Sequence, residues 1–123
     1  MGEAGVNAPP GVDPDTFRQR LIERQEELAA LSDAATDARK PVELDQQSVG
    51  RLSRQDALQQ QAMANAQEAR RGAELRKIKD ALKRIDEGEF GWCAECGEAI
   101  DARRLDIDPT AMQCAPCAGA MKR

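Results

Sequence analysis

The sequence predicts a mainly α protein: a long antiparallel helical hairpin of the coiled-coil type, followed by a small C-terminal module built on four cysteines. Three observations predict it. They are a heptad-spaced apolar seam near the N-terminus, a proline-marked interruption followed by a longer helical stretch, and two cysteine pairs near the C-terminus. Composition points the same way. Charged residues make up 33% of the 123 residues, alanine is the largest contributor to the 41% that are hydrophobic, and Phe17, Phe90 and Trp92 are the aromatics. Bulky core-filling side chains are too few for a large globular core, whereas solvent-washed helices suit this mixture.

Residues 1–12 are expected to form a disordered tail. They hold Gly, Pro and Ala without a basic residue or an apolar run. Neither a secretory signal nor a membrane span is expected, and the chain reads as soluble and cytoplasmic. The hairpin is assigned to residues 13–88. Asp13-Pro14-Asp15 supplies an N-cap acid, a proline at the first helical position and an acid in the first turn. From there Phe17, Leu21, Arg24, Leu28, Leu31, Ala35 and Ala38 alternate steps of four and three, a seam that needs a partner helix. Pro41 ends this helix, because the residue before a proline disfavours the helical region. The hairpin tip then falls at about residues 40–50. The second helix starts between Ser48 and Ser53 and runs to Asp86 or Glu87, with Gly88 as its C-terminal cap. At about 1.5 Å per residue it would span roughly 55 Å. Its tip-ward half is rich in alanine, whereas Leu75, Ile78, Leu82 and Ile85 form an ordinary apolar seam nearer the cysteines, where stability is expected to concentrate.

Charge is unevenly spread. The net charge is −4, with −5 over residues 1–50, +3 over residues 51–88 and −2 over residues 89–123. A chain acidic overall, with an acidic C-terminal module, is a poor general binder of nucleic acid, because that affinity comes from neutralising phosphates. Arg70, Arg71, Arg76, Lys77, Lys79, Lys83 and Arg84 read as a solvated helix face.

Residues 89–123 carry the chemistry. Cys93-Ala94-Glu95-Cys96 and Cys114-Ala115-Pro116-Cys117 are two Cys-x-x-Cys pairs separated by 17 residues, the spacing of a four-thiolate zinc site. Two intervening residues let both sulfurs of a pair face one tetrahedral ion, and Gly97 permits the tight turn after Cys96. The second pair is expected to open a short C-terminal helix whose N-terminus favours thiolate. A redox dithiol or a disulfide framework is the other reading, but two pairs in so short a segment without a βαβ pattern fit it poorly. Iron is the alternative to zinc. One bound ion would supply the folding energy that so short a segment lacks. With four thiolates and no open coordination position the site reads as structural, and the absence of histidine and of a paired acid–base group argues against an enzyme.

The segment resembles the zinc finger of the DksA/TraR family of bacterial transcription regulators. The pattern Cys-x2-Cys-x3-Ile-x3-Arg-x4-Pro-x4-Cys-x2-Cys is filled without a gap by Cys93, Cys96, Ile100, Arg104, Pro109, Cys114 and Cys117. Phe90-Gly91-Trp92 and Asp86-Glu87-Gly88 resemble the family's junction between long helix and finger. The resemblance implies a protein that binds RNA polymerase through its secondary channel, reaches toward the active site with the hairpin and modulates initiation without reading promoter DNA.

Two departures stand out. The family's Asp-x-x-Asp-x-Ala tip motif is absent, and Asp45, Arg54 and Asp56 are the candidate tip contacts. Of the positions at which family members hold guanosine tetraphosphate, Lys77 is basic but the others are Asp108 and Ala118. Asp108 would repel a polyanion. Lys77 is therefore a candidate basic interface residue, and weak or absent synergy with that nucleotide is expected. The reading from a different class is a zinc-stabilised hairpin that serves as an interaction or stress-response protein with another partner. A self-satisfied hairpin makes a monomer the expected state.

Overall fold

The computed structural model describes residues 8–39 and 51–121. Among them are five helices: α1 (Pro14–Ala34), α2 (Thr36–Arg39), α3 (Arg51–Asp86), α4 (Ala102–Ile107) and α5 (Ala115–Met121). No strand occurs among the described residues, and the extended backbone of the cysteine-bearing module meets in a bridge between Trp92 and Ala99. The expected tip at residues 40–50, with Asp45, and the first seven residues of the expected tail lie outside the described residues.

The two long helices begin and end on local chemistry. At the start of α1 the Asp13 carboxylate accepts from the Asp15 N–H at 3.1 Å and from the Thr16 hydroxyl at 2.8 Å, satisfying donors that the first turn leaves unpaired. At the end of α3, Gly88 takes a left-handed φ of 75°. The Glu89 N–H then reaches Arg84 O at 2.9 Å and the Gly88 N–H reaches Ile85 O at 3.1 Å, the paired bonds of a Schellman cap. The first helix does not run unbroken to Pro41. It breaks at Ala35, where the Ser32 carbonyl accepts from the Thr36 hydroxyl and from Arg39 Nη1 at 2.7 Å, side-chain donors that compete with the helical ladder.

The chain divides into two compact units, Met1–Gln25 with Arg76–Arg123, and Glu26–Leu75. In the first, the base of the hairpin and the cysteine module share one core, so packing does not divide at 88/89, where the sequence suggested a boundary. Phe17 and Phe90 stack in a tilted arrangement with centroids 5.3 Å apart. The Arg20 guanidinium lies 5.2 Å from the Phe17 ring and pairs with Asp106 at 2.9 Å, joining α1 to α4. Arg18 pairs with Asp86 at 2.8 Å, fixing the antiparallel register of α1 and α3 at this end. Leu21, Ile78, Ala81, Ile85, Ile100 and Leu105 complete the buried set. On α3 the innermost line is Ile78, Ala81 and Ile85; Leu75 and Leu82, which the sequence placed in the seam, are half-buried. Residues 8–12 are not a free tail. The Val12 N–H bonds to Pro9 O at 3.1 Å, and Pro9 and Val12 are buried, because a close approach to Gly91 gives these apolar side chains a surface to cover.

In the second unit Leu28 is buried, whereas Leu31 is 47% exposed. Polar contacts hold the helices here. Glu68 of α3 accepts from the Ser32 hydroxyl at 2.9 Å and pairs with Arg71 at 3.0 Å and with Arg39 of α2 at 3.2 Å.

Candidate metal centre

The first cysteine pair is built on a hairpin-like turn. The Cys93 N–H bonds to Glu98 O at 2.8 Å and the Ile100 N–H to Gly91 O at 2.8 Å, while the Gly97 N–H returns to Cys93 O at 3.0 Å. Cys93 and Cys96 therefore lie on one side of a closed turn. The second pair sits at the start of α5. Cys114 precedes the helix and its carbonyl accepts the Ala118 N–H at 2.9 Å, which places Cys117 one turn along on the same face. Between the pairs, Asp101 caps α4 by accepting the Arg103 N–H at 2.8 Å, and Leu105 anchors α4 in the core. A bond from the Ala94 N–H to Met112 O at 2.7 Å ties the two cysteine loops together.

The result is a quartet. The Sγ atoms of Cys93, Cys96, Cys114 and Cys117 all lie within 4.8 Å of one another, and those of Cys96 and Cys114 are 3.7 Å apart. Four thiolates around one tetrahedral zinc at about 2.3 Å would stand about 3.8 Å apart. All four are free thiols, converging on one point and not paired off as separate dithiols. The donor set and its spacing fit zinc.

Cys93 is 3% exposed while Cys96 is open to solvent, so the quartet is walled by the core on one side. Its electrostatics are uneven too. The backbone N–H of Cys96 holds the Cys93 thiol at about 6, well below its usual value, with the N–H groups of Cys114 and Glu95 acting in the same direction against desolvation. The Cys117 thiol is pushed far up by its neighbours Cys114, Cys96 and Cys93. At Cys96 the Glu98 N–H favours thiolate, but the neighbouring thiols and desolvation outweigh it and the net shift is upward. Four negative charges cannot gather here without a cation to offset them. The sequence expected the helix N-terminus at the second pair to favour thiolate; the downward shift falls on Cys93 of the first pair.

Of the four candidate contact residues, Arg54, Asp56 and Lys77 are among the described residues. Arg54 is half-buried and Asp56 exposed on α3. Lys77 is exposed and lines a cleft of about 410 Å³ with Glu95, Arg104, Asp108, Thr110 and Met112. Asp108 is occupied in a turn, accepting from the Thr110 N–H at 3.1 Å and the Thr110 hydroxyl at 2.7 Å.

Residues 88–123 match the family model described as the prokaryotic dksA/traR C4-type zinc finger. This C-terminal segment is a zinc finger of the DksA/TraR type. Over 43 residues, 35% of the chain, it is 46% identical to the RNA polymerase-binding transcription factor DksA of Haemophilus influenzae and 42% identical to that of Escherichia coli K12. Those matches span 30% and 28% of the two relatives' lengths. An uncharacterized protein of Aquifex aeolicus is 30% identical over 85% of this chain and 66% of its own length. The structure of transcription factor DksA2 from Pseudomonas aeruginosa superposes with a TM-score of 0.72 at 28% identity, covering 89% of this chain and 82% of that one. The likeness to DksA2 thus takes in helices α1 and α3 as well as the DksA/TraR finger.

Proposed function

We propose that this chain binds RNA polymerase through its secondary channel and modulates initiation as a transcription factor, without sequence-specific DNA binding. The observation that carries this reading is the likeness to DksA2 over 89% of the chain, helices and finger together. The names of the finger's relatives as RNA polymerase-binding transcription factors support it. So does the acidic balance of the finger, which disfavours phosphate backbones.

In this reading Cys93, Cys96, Cys114 and Cys117 hold one zinc ion. Four thiolates close its coordination, so the ion is structural, and the protein is a regulator and not an enzyme. It works in the cytoplasm, as a monomer. Among the described residues no helix is long and apolar enough to cross a membrane. Asp45, Arg54 and Asp56 are the candidate polymerase contacts at the hairpin end, and Lys77 is the basic contact nearer the finger. Guanosine tetraphosphate adds little to the effect, since the cleft that Lys77 lines also presents Glu95 and Asp108.

A second reading, a zinc-stabilised hairpin that engages a different partner, draws on the missing Asp-x-x-Asp-x-Ala motif. Binding of the zinc-loaded protein to core RNA polymerase, with competition by an established secondary-channel ligand, separates the two. Competitive binding is the expected result; no binding at micromolar concentrations would favour the second reading.

A further inference from the structure

Each cysteine pair is entered through a peptide whose carbonyl is held by an arginine from another element. Arg84 Nη2, in the last turn of α3, donates to Glu89 O at 3.1 Å and also to Trp92 O. Arg104 Nε, on α4, donates to Gln113 O at 3.0 Å. Trp92 and Gln113 immediately precede Cys93 and Cys114, the leading cysteines of the two pairs. Both arginines are half-buried.

A peptide unit is planar, so fixing its carbonyl also fixes the N–H on its other edge. In the unit between Trp92 and Cys93, that N–H closes the first turn on Glu98 O. A cation on the carbonyl side strengthens the N–H as a donor on the far side.

We propose that Arg104 and Arg84 are positioning residues of the metal centre. Each sets the peptide that leads into a cysteine pair. The inference rests on reading the quartet as a zinc site. Arg103 provides the contrast: adjacent in sequence, it is exposed and its guanidinium engages Asp101 at 3.2 Å.

The test uses the full chain as wild type, Arg104→Gln, Arg84→Gln, Arg104→Lys and Arg103→Ala. Cobalt(II) substitution reports the ligand field, and zinc release to excess chelator reports retention. Wild type should show thiolate-to-cobalt charge transfer with tetrahedral bands; their absence would overturn the metal reading itself and this inference with it. Arg104→Gln and Arg84→Gln should retain helicity, shift the cobalt bands and release zinc about ten- to a hundred-fold faster, the usual scale for partners that orient metal ligands. Arg103→Ala should match wild type. Arg104→Lys keeps a cation but not the planar donor, so it should fall between. Wild-type bands and release rates in both glutamine variants would sink the proposal. Should the glutamine variants not fold, Arg104→Lys decides: faster release with shifted bands upholds the proposal, and wild-type behaviour overturns it.

Discussion

Gly91 shows how much one residue can decide within the finger. Its φ is 90°, and a Cβ added there would lie 2.7 Å from Pro9 Cδ and 3.6 Å from Val12 Cγ1. The backbone penalty and the ring clash act together. Gly91→Ala should therefore cost about 1–3 kcal/mol, read as a lower midpoint in chemical denaturation of the zinc-loaded protein. An unchanged midpoint would mean that residues 8–12 do not pack where they are described. This contact was not legible in the sequence, because Pro9 and Gly91 are far apart in the chain and neither carries a pattern that points to the other. The cysteines are the opposite case. Their spacing pointed to the quartet, since four thiolates on one tetrahedral ion would require it. The downward shift at Cys93 could not be read from that spacing, because it depends on N–H directions, which only the folded turn fixes.

At the scale of the element, the helices divide into locally determined ends and tertiary middles. The start at Asp13-Pro14 and the stop at Gly88 could be read from the sequence because each is made by residues within one turn. The break at Ala35 could not, since it depends on Arg39 and Thr36 competing for the Ser32 carbonyl. Nor could the place of Ala81 in the innermost line, where a small side chain fits between two isoleucines. The cross-link on Glu68 makes a testable case. The Ser32 hydroxyl, then Arg71 and Arg39, hold the Glu68 carboxyl below its ordinary value of 4.5. A lowered folded pKa means stabilisation that is present above about 4.5 and lost as pH falls through the lower folded value. Glu68→Gln should lower the melting temperature at pH 7, and the gap to wild type should close as the pH approaches 3. A gap that persists unchanged to pH 3 would exclude the ionised carboxylate as its source.

For the molecule as a whole, the distribution of buried side chains locates what the metal sustains. Among the described residues every buried hydrophobic but Leu28 belongs to the unit that contains the quartet. Cys93 is itself part of that core. Removing zinc should thus disturb the base of the hairpin together with the finger. Trp92, the sole tryptophan, adjoins Cys93 and is half-buried, so it offers a direct readout. Chelation should shift its emission to longer wavelength and lower the melting temperature, and adding zinc back should reverse both. Unchanged emission and stability after verified metal loss would show that the core holds without the ion.

The unequal exposure of the four sulfurs gives the centre a front and a back. Cys93 is buried, Cys114 and Cys117 are half-buried, and Cys96 faces water. Anything that trades with the site, whether a thiol-modifying electrophile, a competing metal or a metal-accepting protein, finds Cys96 open and Cys93 closed. A bound ion would thus be guarded unequally, its most accessible sulfur at Cys96 and its most sheltered at Cys93.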